Sequence, residues 1–260
     1  MKERKWFYHL ILLLVGFILL FPVAVLLINS FSKSWIELVP EEFVYLDYWK
    51  SLVTENPEFW ASVLRSVSIA VFPILISGVC LVMAMYAAIL YFPWLDAVIQ
   101  AISMIPYTLR GVVLSISVLT LYAGVINRMV MLVCVYCVVI LPFMYRGIRN
   151  NLYAINVRQL IEAAELLGAG GLYPFFRIIV PNMLSGILVS SLLAFGSIFT
   201  DYAVIKIIAG SRYMTAQAEI NQMQHDGSPL TSAALIAMFA MTMMISVVSY
   251  SVQNRGKKQA

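Results

Sequence analysis

Long apolar runs separated by short polar stretches dominate the chain. Six of them, about 7–29, 63–91, 97–122, 129–148, 178–208 and 231–252, are long enough to cross a bilayer, since about 20 helical residues span ~30 Å of hydrocarbon. Their apolar residues do not alternate at period two, which argues against a membrane β-barrel. In lipid every backbone polar group must be satisfied within its own segment, so the runs are predicted to be helices. The pattern therefore predicts an all-α membrane protein with six transmembrane helices. Residues 1–260 read as one membrane domain, with no internal repeat and no low-complexity tract.

Composition supports this reading. The chain is 62% hydrophobic and 12% charged, with mean hydropathy +0.90, whereas soluble domains are nearer half apolar and a quarter charged. So little charge cannot clothe a water-facing surface. The start, Met1-Lys2-Glu3-Arg4-Lys5 followed by an apolar run, has the look of a secretory signal. The run continues to about Ile28 with no small-residue cleavage site after it, so it is read as a retained first span.

Basic residues set the orientation, because cytoplasmic loops carry the excess of Lys and Arg. With the N-terminus inside, the cytoplasmic parts hold Lys2, Arg4, Lys5, Arg146, Arg149, Arg158, Arg177, Arg255, Lys257 and Lys258. The external parts hold only Lys33, Lys50, Arg128 and Arg212, with most of the acids: Glu37, Glu41, Glu42, Asp47, Glu55, Glu58, Glu219 and Asp226. Both termini are then cytoplasmic, in a bacterial inner membrane. The net charge of +4 is a topology signal and not a nucleic-acid footprint. The external loop 31–61 carries Trp35, Tyr45, Tyr48, Trp49 and Trp60. These suit an interfacial aromatic belt, and a short helix along the outer surface fits as well.

Metal chemistry is poorly supported. Cys134-x-x-Cys137 has no second cysteine pair and no nearby histidine. With Cys80 these cysteines read as small, buried apolar residues. The sixth run holds Met238, Met241, Met243 and Met244, which suit adaptable packing better than a metal path. His225 reads as a solvated loop residue. Catalytic motifs are missing from the sequence: there is no H-E-x-x-H and no clustered acidic motif, and no G-x-x-x-x-G-K-[ST] that would bind a nucleotide.

The longest cytoplasmic loop, 149–177, is polar and punctuated. Asn156 is placed to cap a helix, with Gln159 at the capping-box position. Arg158 and Glu162 are four apart and can pair. Gly168 can end the helix, Gly170 and Gly171 permit a sharp turn, and Pro174 suits the start of a second short helix. Pro181 sits near the start of the fifth span. The loop reads as helix, turn, helix outside the membrane: either a docking knob or an ordinary ordered loop.

Within it, Glu162-Ala163-Ala164, three residues, Gly168, nine residues, Ile178, one residue and Val180-Pro181 follow in order. This resembles the EAA motif of the permeases of binding-protein-dependent ABC importers, E-A-A, three residues, G, nine residues, I, x, L, P, with Val180 in place of the leucine. The six-span topology around it matches over nearly the whole chain. The resemblance implies the type I importer permease fold, with a coupling helix between spans four and five. In that family the coupling helix docks into a groove on a cytoplasmic ATPase. Glu162, Ala163, Ala164 and Gly168 would be the coupling residues here, with Ala163 allowing close approach and Gly168 the turn. The implied partners are an ABC ATPase dimer, a second permease subunit (identical or related) and an extracytoplasmic substrate-binding protein. No cofactor is expected in this chain, ATP and Mg being bound by the ATPase.

Ionisable residues inside spans are functional candidates. Arg110 lies in the third span, where related permeases often have a second proline before the glycine. Asp201 and Lys206 lie toward the outer half of the fifth, where the family often has an acid. Arg110 could meet an anionic substrate group and Asp201 a cationic one, or the two could pair structurally with each other or with the second permease. Small residues Gly186, Ser190, Ser191, Ala194 and Gly196 allow close helix packing in the fifth span. Residues 210–228 loosely resemble the polyamine, ferric-iron and phosphonate branch. The expected cargo is a small charged solute, 2-aminoethylphosphonate-like or polyamine first, ferric iron or thiamine behind. The alternative is an ion-coupled secondary transporter with Arg110 and Asp201 as a relay. It lacks an evident inverted repeat and leaves the EAA pattern unexplained.

Overall fold

The computed structural model describes residues 2–32, 35–36, 39–40, 46–169, 173–224 and 229–259. Five helices there are long and apolar enough to cross a membrane: α1 (Lys2–Asn29), α3 (Pro57–Leu90), α6 (Arg128–Ala154), α8 (Val180–Phe199) with the π-helical turn Phe175–Ile179 before it, and α11 (Pro229–Gln259). Two further helices, α4 (Pro93–Thr108) and α5 (Gly111–Tyr122), are long and apolar enough only as a pair, and they meet at 95°. The shorter helices are α2 (Asp47–Thr54), α7 (Val157–Leu166), α9 (Ala203–Ile208) and α10 (Ala216–Gln224), with a 3-10 turn at Gly210–Arg212. The strands β1 (Trp35–Ile36) and β2 (Val39–Pro40) form one antiparallel ladder, Trp35 opposite Pro40. The expectations for Gly170, Gly171 and His225 lie outside the described residues.

Several boundaries differ from the sequence reading, each for a physical reason. The third span, expected as one helix, breaks at Leu109 and Arg110. Pro106 removes a backbone donor in the last turn of α4. Leu109 turns extended, and Gly111, a poor helix former, opens α5. The fifth span stops at Phe199 and resumes as α9. The fourth runs on to Ala154, so residues 149–154 are the end of a span helix and not part of a loop. No separate second helix starts at Pro174; the chain there passes directly through the π-helical turn into α8. Pro181 accounts for the π turn, since it offers no N–H to the carbonyl one turn back and its ring crowds that carbonyl. The cysteines also differ: Cys80 and Cys134 are exposed on their helices and Cys137 half-buried. The short helix anticipated in loop 31–61 is α2, where Trp60 Nε1 donates to the Leu52 carbonyl at 3.1 Å.

The described residues gather into two compact units, residues 1–62 with 218–241, and residues 63–217 with 242–260. In the first, Asn29 Nδ2 donates to Ser232 Oγ at 2.8 Å, linking α1 to the start of α11. Much of α1 remains apolar and exposed, for example Leu13, Phe17 and Leu20.

In the second unit α6 is the central helix. Leu132, Val135, Tyr136, Ile140, Met144, Ile148 and Leu152 recur every three or four residues and are all buried, the stripe of a helix packed along its length. Burial from lipid gains no hydrophobic energy, so helices associate through close contact of small residues. The α6–α8 seam is built that way. A side chain at Gly147 would collide with Ser190, and one at Gly186 with the Asn151 amide. Gly186, Ser190 and Ala194, four apart, are all buried, as the small-residue pattern predicted. Gly196 has open space around it.

Candidate functional site

Helix α7 has two faces. Val157, Ile161 and Ala164 are buried, and their spacing of four and three puts them on one side of a helix. Val157 and Ile161 join the core with Leu152 from α6 and with Phe175 and Ile179 from the π turn. The Phe175 ring lies 4.4 Å from that of Tyr86 on α3, centroid to centroid. The opposite face is open. Glu162 and Ala163 are exposed, and Leu166 and Leu167 are 90% and 88% exposed. Of the motif residues, then, Ala164 packs inward and anchors the helix, while Glu162 and Ala163 face out. Arg158 and Glu162 pair as expected, Nε to Oε1 at 3.3 Å. Both side chains are well exposed, so this contact adds a few tenths of a kcal/mol, roughly 0.3–0.5.

The helix ends as the sequence predicted. Gly168 has φ +83°, a left-handed conformation that glycine adopts at no steric cost. Its N–H reaches the Glu165 carbonyl at 2.9 Å, and the Ala169 N–H reaches the Ala164 carbonyl at 3.0 Å. Those two bonds are a Schellman cap. The start differs from expectation. Asn156 holds the cap position with φ 47°, but its side chain caps nothing. Its carbonyl instead accepts from Gln159 N–H at 3.0 Å.

A polar cluster that the sequence reading missed lies at the base of α7. Asp96, in the first turn of α4, accepts from three side chains of α6. Arg149 Nη2 is 3.0 Å from Oδ2 and Nε 3.2 Å from Oδ1, Tyr145 Oη is 3.1 Å from Oδ1, and Tyr153 Oη is 2.9 Å from Oδ2. The Arg149 guanidinium also covers the Tyr153 ring at 4.7 Å. Asp96 and Tyr153 line a cavity of about 290 Å³ with Asn156, Val157 and Arg158. The available signal was the spacing of Tyr145, Arg149 and Tyr153, which places them on one helical face.

The intramembrane candidates take no part in this cluster. Arg110 is exposed at the break between α4 and α5, and Lys206 is exposed on α9. Asp201 is half-buried, and its Oδ1 accepts the Val204 N–H at 3.1 Å, which satisfies a free donor at the start of α9. Arg110 and Asp201 make no ion pair with each other in the structure; the ion pairs shown among the described residues are Arg149–Asp96 and Arg158–Glu162. No group of three or more His, Cys, Asp or Glu among the described residues could hold a metal ion.

A family model described as binding-protein-dependent transport system inner membrane component matches residues 80–257. The match takes in α4 through α10 whole, and α7 with its Gly168 turn. No curated protein matches the chain.

Proposed function

The chain belongs to the family of binding-protein-dependent transport system inner membrane components, and from that premise we propose that α7 couples it to a separate ATPase while its membrane helices carry a small charged solute. It is an ABC importer permease subunit, a multi-pass inner-membrane protein, which sets aside an ion-coupled secondary transporter. The family implies an ABC ATPase and a substrate-binding protein as partners.

The observation that carries the coupling reading is the two-faced build of α7. Its outer face offers Glu162, Ala163, Leu166 and Leu167. Its inner face is packed with Leu152 of α6 and Phe175 at the head of α8. A push on the outer face therefore reaches both helices through close-packed contacts, which transmit displacement because they compress little. ATP and Mg bind to the partner, whose closing would drive α7 and switch the cavity from inward-facing to outward-facing. On this reading α7 and both termini are cytoplasmic. A second permease subunit, identical or related, completes the path.

For the cargo, a 2-aminoethylphosphonate-like or polyamine solute comes first, with ferric iron or thiamine behind. Arg110 supports the first of these. It is an exposed guanidinium in the break of a span, where its charge is costly unless it faces water or an anion. Asp201 and Lys206 are the further candidates on the path.

The test is ATP hydrolysis by the assembled importer, stimulated by loaded binding protein, for wild type beside Glu162→Lys and Gly168→Asp. Loss of stimulation in both variants, with the complex still assembled, is the expected result. Full stimulation in both would remove α7 from the coupling path.

A further inference from the structure

Helices α4 and α6 differ in how they are held. Ten residues of α6 are buried, but only Ser103 of the sixteen in α4. The Ser103 hydroxyl turns back on its own helix, donating to the Ile99 carbonyl at 2.6 Å. The main neighbour of α4 is α6, yet between the two lies a cavity of about 280 Å³, lined by Gln100, Met104, Tyr107, Pro142, Arg146 and Asn150 among others. A hollow seam cannot pass on a displacement as the close-packed α6–α8 seam does.

The two helices are tied at the ends of this hollow. At the base, Asp96 accepts from Tyr145, Arg149 and Tyr153, on three successive turns of α6. Near the bend, Tyr107 lies under the Arg146 guanidinium at 5.0 Å, and its ring is 6.4 Å from that of Phe143. The base is the stronger tie. Tyr107 and Arg146 are exposed, whereas the Asp96 side chain is 15% exposed and its two-nitrogen bond to arginine is of the strong, charge-assisted kind.

Beyond the bend the chain is locked. A side chain at Gly111 would stand 3.0 Å from Val204 of α9 and 3.4 Å from Val139 of α6, and Ser115 of α5 is buried. Leu109 and Arg110 therefore join a fixed half, α5, to a half held mainly by one carboxylate. Asp96 also stands where α7 begins. With Tyr153 it walls the same cavity as Asn156, Val157 and Arg158.

We infer that Asp96 is a positioning residue for coupling: by gripping α6 it makes α4 follow when the ATPase displaces α7, so that the bend at Leu109 and Arg110 changes its access to water with nucleotide. The inference deepens the coupling reading above and rests on it.

The test uses the importer assembled from this chain, its ATPase, the second permease and the binding protein, nucleotide-free and trapped with ATP and vanadate. Two reporters are placed one at a time in a chain whose Cys80, Cys134 and Cys137 are changed to alanine. Leu109→Cys is an exposed position in the bend, and Gly196→Cys lies on α8 with open space around it. Their rates of alkylation by a maleimide follow access to water, because the thiolate is the reactive form. With Asp96 in place, trapping should change both rates about tenfold. In Asp96→Asn, and in the double variant Asp96→Ala with Arg149→Ala, the change at position 109 should shrink to within about twofold while that at position 196 persists. The double variant leaves no stranded charge, so its melting temperature should stay near that of wild type and the lost response is not a loss of fold. A tie that only stabilises the fold would lower melting in Asp96→Asn and leave both responses intact, which overturns the inference. A bend that ignores nucleotide with Asp96 present, while α8 responds, overturns it as well. Silence of both reporters with Asp96 present would instead bring down the coupling through α7.

Discussion

Arg149 on α6 grips Asp96 on α4 with two nitrogens, Nη2 at 3.0 Å from Oδ2 and Nε at 3.2 Å from Oδ1. Tyr145 and Tyr153, one turn to either side, bond the same carboxylate. The Asp96 side chain is only 15% exposed and Arg149 33%. Removing one member strands the other, and that loss exceeds the net worth of the pair. Asp96→Ala is expected to destabilise the protein by about 2 kcal/mol, and Arg149→Ala by a similar amount. The double variant should cost far less than the sum. Thermal unfolding of the purified protein in detergent, run as a double-mutant cycle, reads the coupling directly, and additive losses would show that the two residues act independently.

The α6–α8 seam gives a second expectation. A methyl group at position 147 would strike the Ser190 side chain, which is fixed on a buried helix face. Gly147→Ala should therefore cost about 1–3 kcal/mol. Adding Ser190→Gly removes the opposing Cβ and should recover much of that loss. Gly196, which has nothing within reach of a Cβ, should accept alanine with little change. Unfolding midpoints of the three variants beside wild type decide it, and equal losses at positions 147 and 196 would contradict the packing described.

The spans were legible in the sequence because lipid imposes a length and an apolar character on any helix that crosses it. Breaks within spans were not. Pro22, Pro73 and Pro142 sit inside α1, α3 and α6, while Pro106 lies in the last turn of α4, just before the break at Leu109 and Arg110, so a proline alone does not foretell an interruption. Gly168 was legible because a left-handed helix end has few alternatives to glycine. Ala164, the third of the motif's three consecutive letters, is buried because the helical period turns it inward beside Ile161. Asp96 went unnoticed because its partner Arg149 is 53 positions away, and its role belongs to packing that no local pattern states.

The two faces of α7 should respond differently to substitution. Leu166 and Leu167 are almost fully exposed, so Leu166→Asp should leave the stability of the chain within about 0.5 kcal/mol while weakening co-purification with the ATPase. Ala164→Leu should do the reverse, overpacking the anchored face and lowering stability by about 1–3 kcal/mol. Quantitative pull-down of the ATPase beside a melting curve for each variant separates the effects. If Leu166→Asp binds the ATPase as wild type does, the exposed leucines are not the contact.

Asp201 tests whether a polar residue in a span serves the helix or the cargo. Its Oδ1 accepts the Val204 N–H at 3.1 Å, and asparagine at the same position retains an oxygen acceptor without the charge. If capping α9 is its task, Asp201→Asn should keep transport within about twofold and Asp201→Ala should lower stability by about 1 kcal/mol, the usual cost of losing a cap. If the carboxylate instead meets a cationic group of the solute, Asp201→Asn loses transport although its melting temperature matches wild type. Uptake in proteoliposomes, with melting measured on the same preparations, distinguishes the two. The geometry favours the first outcome, because a carboxylate already bonded at a helix start must give up that bond before it can bind a passing cation.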